Sequence, residues 1–124
     1  MATPFLHLTL ACRDVEKTAG FFERTMGWRR LERPGNIEMA AVWLEIAPGQ
    51  ELHLLEVEGF EVSPFEAEFG RHAALVCDAR DWTALQERLQ GHGATIIPPE
   101  RPTSFRRFFF RTPDGYVFEV VEGG

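Results

Sequence analysis

The stretch Phe5-Leu6-His7-Leu8-Thr9-Leu10-Ala11-Cys12 is apolar and β-prone with partial alternation, so it reads as a strand. It recurs 65 residues later as Gly70-Arg71-His72-Ala73-Ala74-Leu75-Val76-Cys77. At that offset His7 meets His72, Leu10 meets Leu75 and Cys12 meets Cys77, and Thr18-Ala19 meets Thr83-Ala84. Further along the offset becomes 66, and Gly49 meets Gly115, Leu52 meets Phe118, His53 meets Glu119 and Glu56 meets Glu122. Matches kept in order on two near-equal offsets are an internal repeat, which has to be recognised before any fold is assigned.

Each copy carries the same run of elements. Asp14 is a candidate N-cap for a helix over 15–26 whose apolar stripe is Val15, Ala19, Phe22 and Met26, and Gly27 suits the residue after its end. A strand over 28–32 follows, then turn chemistry at Pro34-Gly35-Asn36. Strands over 38–46 and 51–56 are joined across Ala47-Pro48-Gly49-Gln50. Residues 57–70 lose periodicity and collect acids, Pro and Gly, as a connector does. The order then restarts with a strand over 71–77 and a helix capped by Asp78 or Asp81, carrying Trp82, Leu85 and Leu89 on one face. Gly91-His92-Gly93 closes that helix. A strand over 94–97, a loop over 98–104 and a hairpin of 107–112 with 116–122 about Pro113-Asp114-Gly115 complete the copy. The expected class is therefore α+β. Two βαβββ modules, 5–57 and 71–122 with a connector over 58–70, make one domain of residues 1–124.

Composition narrows the partners. With 124 residues, 44% hydrophobic and 26% charged, the chain suits one domain with its own core rather than disorder. The net charge of −6 argues against a nucleic-acid surface, which needs clustered Lys and Arg. No run approaches the roughly 20 apolar residues of a membrane span, and the first residues lack the basic and apolar regions of a signal peptide. Cys12 and Cys77 each sit in an apolar run, which suits reduced core thiols and a cytoplasmic setting.

The chemistry lies in the repeat-related histidines. Of the four, His7, His53 and His72 fall on equivalent strand positions, and the remaining equivalent position holds Glu119. The first strand of each half thus supplies an imidazole, and the last supplies an imidazole or a carboxylate. If a local two-fold relates the halves, three nitrogens and one oxygen converge as a shell for one divalent ion. Taken singly, a strand histidine is more often a hydrogen-bonded core or surface residue. Glu119, between Phe118 and Val120, differs: an inward acid there needs a cation or hydrogen bonds. His92, between glycines, reads as a solvated loop residue. Phe105, Phe108, Phe109 and Phe110 read as core, as do Trp28 and Trp43. A three-residue turn sets Phe109 opposite Glu119 with Arg111 on the same face, where Arg111 can meet an anionic group. Arg106 and Arg107 read as a solvated rim.

These residues resemble the vicinal oxygen chelate superfamily, which includes glyoxalase I, bleomycin-resistance proteins, fosfomycin-resistance transferases, methylmalonyl-CoA epimerase and extradiol dioxygenases. The resemblance runs from His7-Leu-Thr-Leu through Gly70-Arg-His72-Ala-Ala-Leu to Pro113-Asp-Gly-Tyr-Val-Phe-Glu119, whose Pro-Asp-Gly-x-x-x-Glu is its most specific piece. It implies paired βαβββ modules forming a curved mixed sheet, with His7, His53, His72 and Glu119 as ligands of one divalent ion per site (Zn, Ni, Co, Fe or Mn). It also implies a homodimer whose subunits exchange modules, so that each site is shared. The implied activity is that of a lyase or isomerase polarising a small substrate with adjacent oxygens and stabilising an enolate, with Glu119 as the catalytic base and Phe109 and Arg111 binding substrate. An extradiol Fe(II) dioxygenase would use His7, His72 and Glu119. Such enzymes resemble one another in a tyrosine ten residues before the glutamate, where this chain has Phe109, and in an upstream histidine, where it has Pro102-Thr103-Ser104-Phe105. A metal-free drug-binding protein of the bleomycin-resistance kind is the third reading, and such proteins typically lose the ligand positions that are filled here.

Overall fold

A computed structural model describes residues 1–33, 35 and 38–123, so Pro34 and Asn36 of the expected turn lie outside the described residues. The chain divides into two compact units, Met1–Phe60 and Glu61–Gly124. Each is a helix laid on a four-stranded mixed sheet, an α+β arrangement.

The first unit runs β1 (His7–Cys12), α1 (Val15–Met26), β2 (Arg29–Leu31), β3 (Ala41–Ala47) and β4 (Gln50–Glu56). Its strand order is β1-β4-β3-β2, with β1 parallel to β4 and the other pairs antiparallel. The helix begins where the Asp14 carboxylate accepts the Lys17 amide at 3.1 Å, and ends at Gly27, whose φ of 71° is the left-handed conformation only glycine adopts freely. Its stripe buries Val15, Ala19 and Phe22 as expected, while Met26 is half-buried and Phe21 and Thr25 join the core instead. Facing them are Leu10, Cys12, Leu44, Leu52 and Leu54 from alternate strand positions. Full burial of such side chains is worth roughly 1.5–3 kcal/mol each, so this contact, rather than helix propensity, holds the unit together. The first strand starts at His7 and not at residue 5, because its partner begins at Gln50 and the first paired residues are His7 and Glu51. Phe5 and Leu6 are left exposed.

The second unit repeats the plan: β5 (Ala73–Cys77), a short 3-10 turn over Ala79–Asp81, α2 (Trp82–Gly91), β6 (Thr95–Ile97), β7 (Arg107–Arg111) and β8 (Val117–Glu122). The order β5-β8-β7-β6 copies the first sheet strand for strand. Asp78 caps the 3-10 turn by accepting the Arg80 amide at 3.0 Å, whereas Asp81 makes no capping bond. Trp82, Leu85 and Leu89 are buried, with Trp82 edge-on to Phe108. Gly115, at φ 104°, closes the last hairpin. The connector divides between the units: Val57–Phe60 stay with the first and residues 61–70 belong to the second.

Neither cysteine is in a disulfide and both are buried, and burial together with the nearby Asp81 and Asp78 raises the Cys77 thiol above its ordinary range. No described helix is long and apolar enough to cross a membrane.

Candidate functional site

In the first unit, residues 9 and 53 are paired across β1 and β4, and 43 and 53 across β3 and β4. This register puts His7, His53 and Trp43 on the sheet face away from α1. Their rings form a stack: His7 on His53 at 4.0 Å between centroids, and His53 on Trp43 at 4.1 Å. Imidazole lone pairs lie in the ring plane, so stacking fixes ring orientation without covering the nitrogens. His53 Nε2 lies 2.8 Å from a carboxylate oxygen of Glu51, two residues earlier on the same strand and face. Trp43 is buried, as the sequence suggests, but its ring face packs on His53 rather than in the helix core.

The second unit brings together the other pair. Phe109 and Glu119 are opposite one another across β7 and β8, the register expected from the three-residue turn. His72 Nε2 lies 3.3 Å from Glu119 Oε1, and the His72 ring meets Phe109 edge-on at 5.1 Å. His72 Nδ1 faces the Ala67 carbonyl at 3.1 Å. Both ring nitrogens therefore face acceptors, while a neutral imidazole carries a single N–H. Donation from Nδ1 to Ala67 leaves the Nε2 lone pair against a carboxylate, an arrangement that a cation between them satisfies.

The support beneath this pair was not legible in the sequence. Arg107 is the first residue of β7, with only 2% of its side chain exposed, and not part of a solvated rim. It donates to Glu119 Oε2 at 3.1 Å, to Glu68 Oε2 at 2.9 Å and to the Arg101 carbonyl at 2.6 Å. Its Nε is buried without a hydrogen-bond partner among the described residues. Arg106, by contrast, is exposed, paired with Glu122 and set over the Trp82 ring.

Glu68 reaches this network from the former connector. Burial pushes its carboxyl up, but the Glu100 and Arg101 amides and the Arg107 guanidinium outweigh that and hold it at about 2. Burial likewise opposes the charge on Arg107, and the bonds to Glu68 and Glu119 overcome it, so its pKa is raised. Glu66, buried alongside, accepts the Val117 amide at 2.9 Å and the Arg71 guanidinium at 3.0 Å. Residues 65–69 thus alternate, with Glu66 and Glu68 inward and Phe65 and Phe69 exposed. That period-two pattern is visible in the sequence, but it is inverted relative to the usual apolar-in order.

Gly70 makes the inward turn feasible. A Cβ there would sit 2.0 Å from the Phe65 carbonyl oxygen, which accepts the Arg71 amide. Beside the pair lies a recess of about 340 Å³, lined by Ala67, Glu68, Ile97, Pro98, Glu100, Phe109, Arg111 and Val117. Arg111 donates to the carbonyls of Gly115 and Glu66, which leaves further N–H donors on its fork. The structure therefore assembles His7 with His53, and His72 with Glu119. No cluster of three or more His, Cys, Asp or Glu side chains able to hold an ion occurs among the described residues.

Comparison with known proteins fits this architecture. The chain is 23% identical over 124 residues to "Glyoxylase I 4" of Arabidopsis thaliana, covering 95% of this chain and 70% of that protein. It is 28% identical over 129 residues to YwbC of Bacillus subtilis, covering 98% and 99%. Among solved structures, the fosfomycin resistance protein FosX from Mesorhizobium loti superposes with a TM-score of 0.76 at 22% identity, covering 100% of this chain and 95% of that one. A mutant FosX from Listeria monocytogenes, complexed with Mn(II) and 1S,2S-dihydroxypropylphosphonic acid, gives 0.78 at 22% identity, covering 100% and 93%. The family model described as the Glyoxalase/Bleomycin resistance protein/Dioxygenase superfamily matches residues 5–120, and the chain belongs to that superfamily.

Proposed function

We propose that this protein is a divalent-metal-dependent lyase or isomerase of glyoxalase type, acting on a small substrate with adjacent oxygens. His7, His53, His72 and Glu119 would hold the ion, and the two units would act as one domain. The observation that carries the reading is His72, whose two ring nitrogens face the Ala67 carbonyl and the Glu119 carboxylate at 3.1 and 3.3 Å. Two ligands each roughly 2.0–2.2 Å from one ion span such a separation readily. The donor set of three imidazoles and one carboxylate suits Zn, Ni, Co, Fe or Mn. A divalent ion bound there supplies Lewis acidity, drawing electron density from a substrate oxygen.

The chain's own groups supply the rest. Glu119 would act as the base by leaving the ion during turnover, Oε1 taking the proton from the carbon beside the carbonyl as the electron pair passes to the carbonyl oxygen, while Oε2 stays with Arg107. Phe109, 1% exposed, gives the recess an apolar wall. Arg111, with donors remaining after its two carbonyl bonds, binds an anionic substituent of the substrate. Phe109 also presents no hydroxyl to His72, which counts against ring cleavage.

A second copy of the chain would complete each site, giving a homodimer. The strands β1 and β5 are sheet edges; Val76 in β5 exposes 72% of its surface, and Leu6, just before β1, exposes 67%. Edges of that kind pair with further chains unless they are blunted.

The test is metal analysis of protein purified without chelator, then activity with hemithioacetal, CoA-ester and catechol substrates. About one ion per chain with turnover of a hemithioacetal or CoA ester supports the reading. Absence of metal overturns it, and catechol cleavage would favour the Fe(II) dioxygenase. Sedimentation at micromolar concentration should show a dimer. A monomer holding a complete site would rule out the shared arrangement.

A further inference from the structure

The metal reading leaves Arg107 unexplained. It is a buried arginine bridging two carboxylates, and it keeps one buried N–H without a partner among the described residues. Such a group is a poor stabiliser. Burying paired charges often costs more than a well-packed apolar substitute, and an unserved N–H adds to that cost. Its geometry points elsewhere. One terminal nitrogen holds Glu119 Oε2 at 3.1 Å, and the other is fixed at 2.9 Å by Glu68, itself pinned by the Glu100 and Arg101 amides. The outcome is a Glu119 carboxylate with one oxygen occupied and the other turned to His72.

We propose that Arg107, anchored by Glu68, is a positioning residue that holds Oε2 of Glu119 and so restricts Glu119 to one-oxygen ligation of the ion through Oε1, beside His72. This rests on the metal reading above and deepens it. The neighbouring segment supports both members of the pair, since Ala67 orients His72 through its carbonyl while Glu68 orients Glu119 through Arg107. Fixed outer partners of this kind commonly change metal affinity by about 10–100-fold when removed. Lysine cannot take over, because a single ammonium does not span Glu68 and Glu119 in a planar fork.

The experiment titrates Mn(II) alone into wild type, Arg107→Lys, Arg107→Met and Glu68→Gln. Bound metal is followed by electron paramagnetic resonance and the carboxylate by infrared difference spectroscopy. Wild type should show the wide carboxylate splitting of one-oxygen ligation. Arg107→Lys and Arg107→Met should narrow it toward two-oxygen ligation and weaken Mn(II) binding about 10–100-fold, with a smaller loss in Glu68→Gln. If Arg107→Met does not fold, Arg107→Lys and Glu68→Gln decide. Folded Arg107 variants with wild-type affinity and splitting overturn this inference and leave the metal reading standing. A wild type that binds no Mn(II) overturns both.

Discussion

The two halves place the candidate side chains at equivalent positions of the repeat and support them differently. In the first unit His53 is held by ring stacking, between His7 and Trp43, with one carboxylate at its edge. In the second, Glu119 is held by charge, through Arg107 to Glu68. The difference follows from the side chain being held. An imidazole is planar and polarisable, so two flat neighbours fix its orientation. A carboxylate has no face worth stacking and needs a donor on each oxygen, which draws a buried cation and then a second carboxylate to neutralise it. The two equivalent positions share a backbone setting, and a carboxylate in place of an imidazole goes with a different set of neighbours.

The comparison breaks most readily at Gly70, whose counterpart in the first unit is Phe5 rather than a glycine. In Gly70→Ala the new methyl meets a backbone carbonyl that cannot move aside cheaply. We expect a loss of about 3 kcal/mol or more in urea unfolding, at or above the usual range for overpacking. A smaller loss should follow when the first unit is made to resemble the second. Trp43→Phe installs the aromatic found at the equivalent Phe109, and is expected to cost about 1–2 kcal/mol while leaving metal content unchanged.

Acid should separate the halves further. The Glu68 carboxyl lies at about 2 when folded, against an ordinary 4.5, so the folded state stays ionised where the unfolded state takes up a proton. Its stabilising contribution is complete above the ordinary value and is lost as pH falls from there toward 2. Unfolding midpoints measured across that window should decline more steeply in wild type than in Glu68→Gln. The smallest effect belongs to Gly20→Ala in α1. There the methyl meets only the end of the Arg24 side chain, and the better helix former should leave stability unchanged or raise it by about 0.5 kcal/mol.

Much of the scaffold was legible because it is written in local periodicity. The Asp14 cap, the Gly27 stop, the order of elements in both copies and the Phe109–Glu119 register all follow from spacing and turn chemistry. The candidate pairs were legible through the repeat alone. Arg107 was missed, although the parity that puts Phe109 and Arg111 on the Glu119 face puts Arg107 there too. A buried arginine is plausible only once its counter-charges are known, and these come from Glu68, 39 residues earlier in the chain. Glu66 and Glu68 were hidden for the same reason. Two acids among aromatics look like a solvated connector until the amides and guanidinium groups that neutralise them are placed.

The measurement that bears most directly on the account is bound metal, by elemental analysis after dialysis, in wild type and in one variant from each unit, His53→Ala and Glu119→Gln. Wild type should carry about one divalent ion per chain, and both variants, folded by circular dichroism, should fall to a trace. Full metal retained in either variant would contradict the claim that the two pairs are halves of one coordination shell.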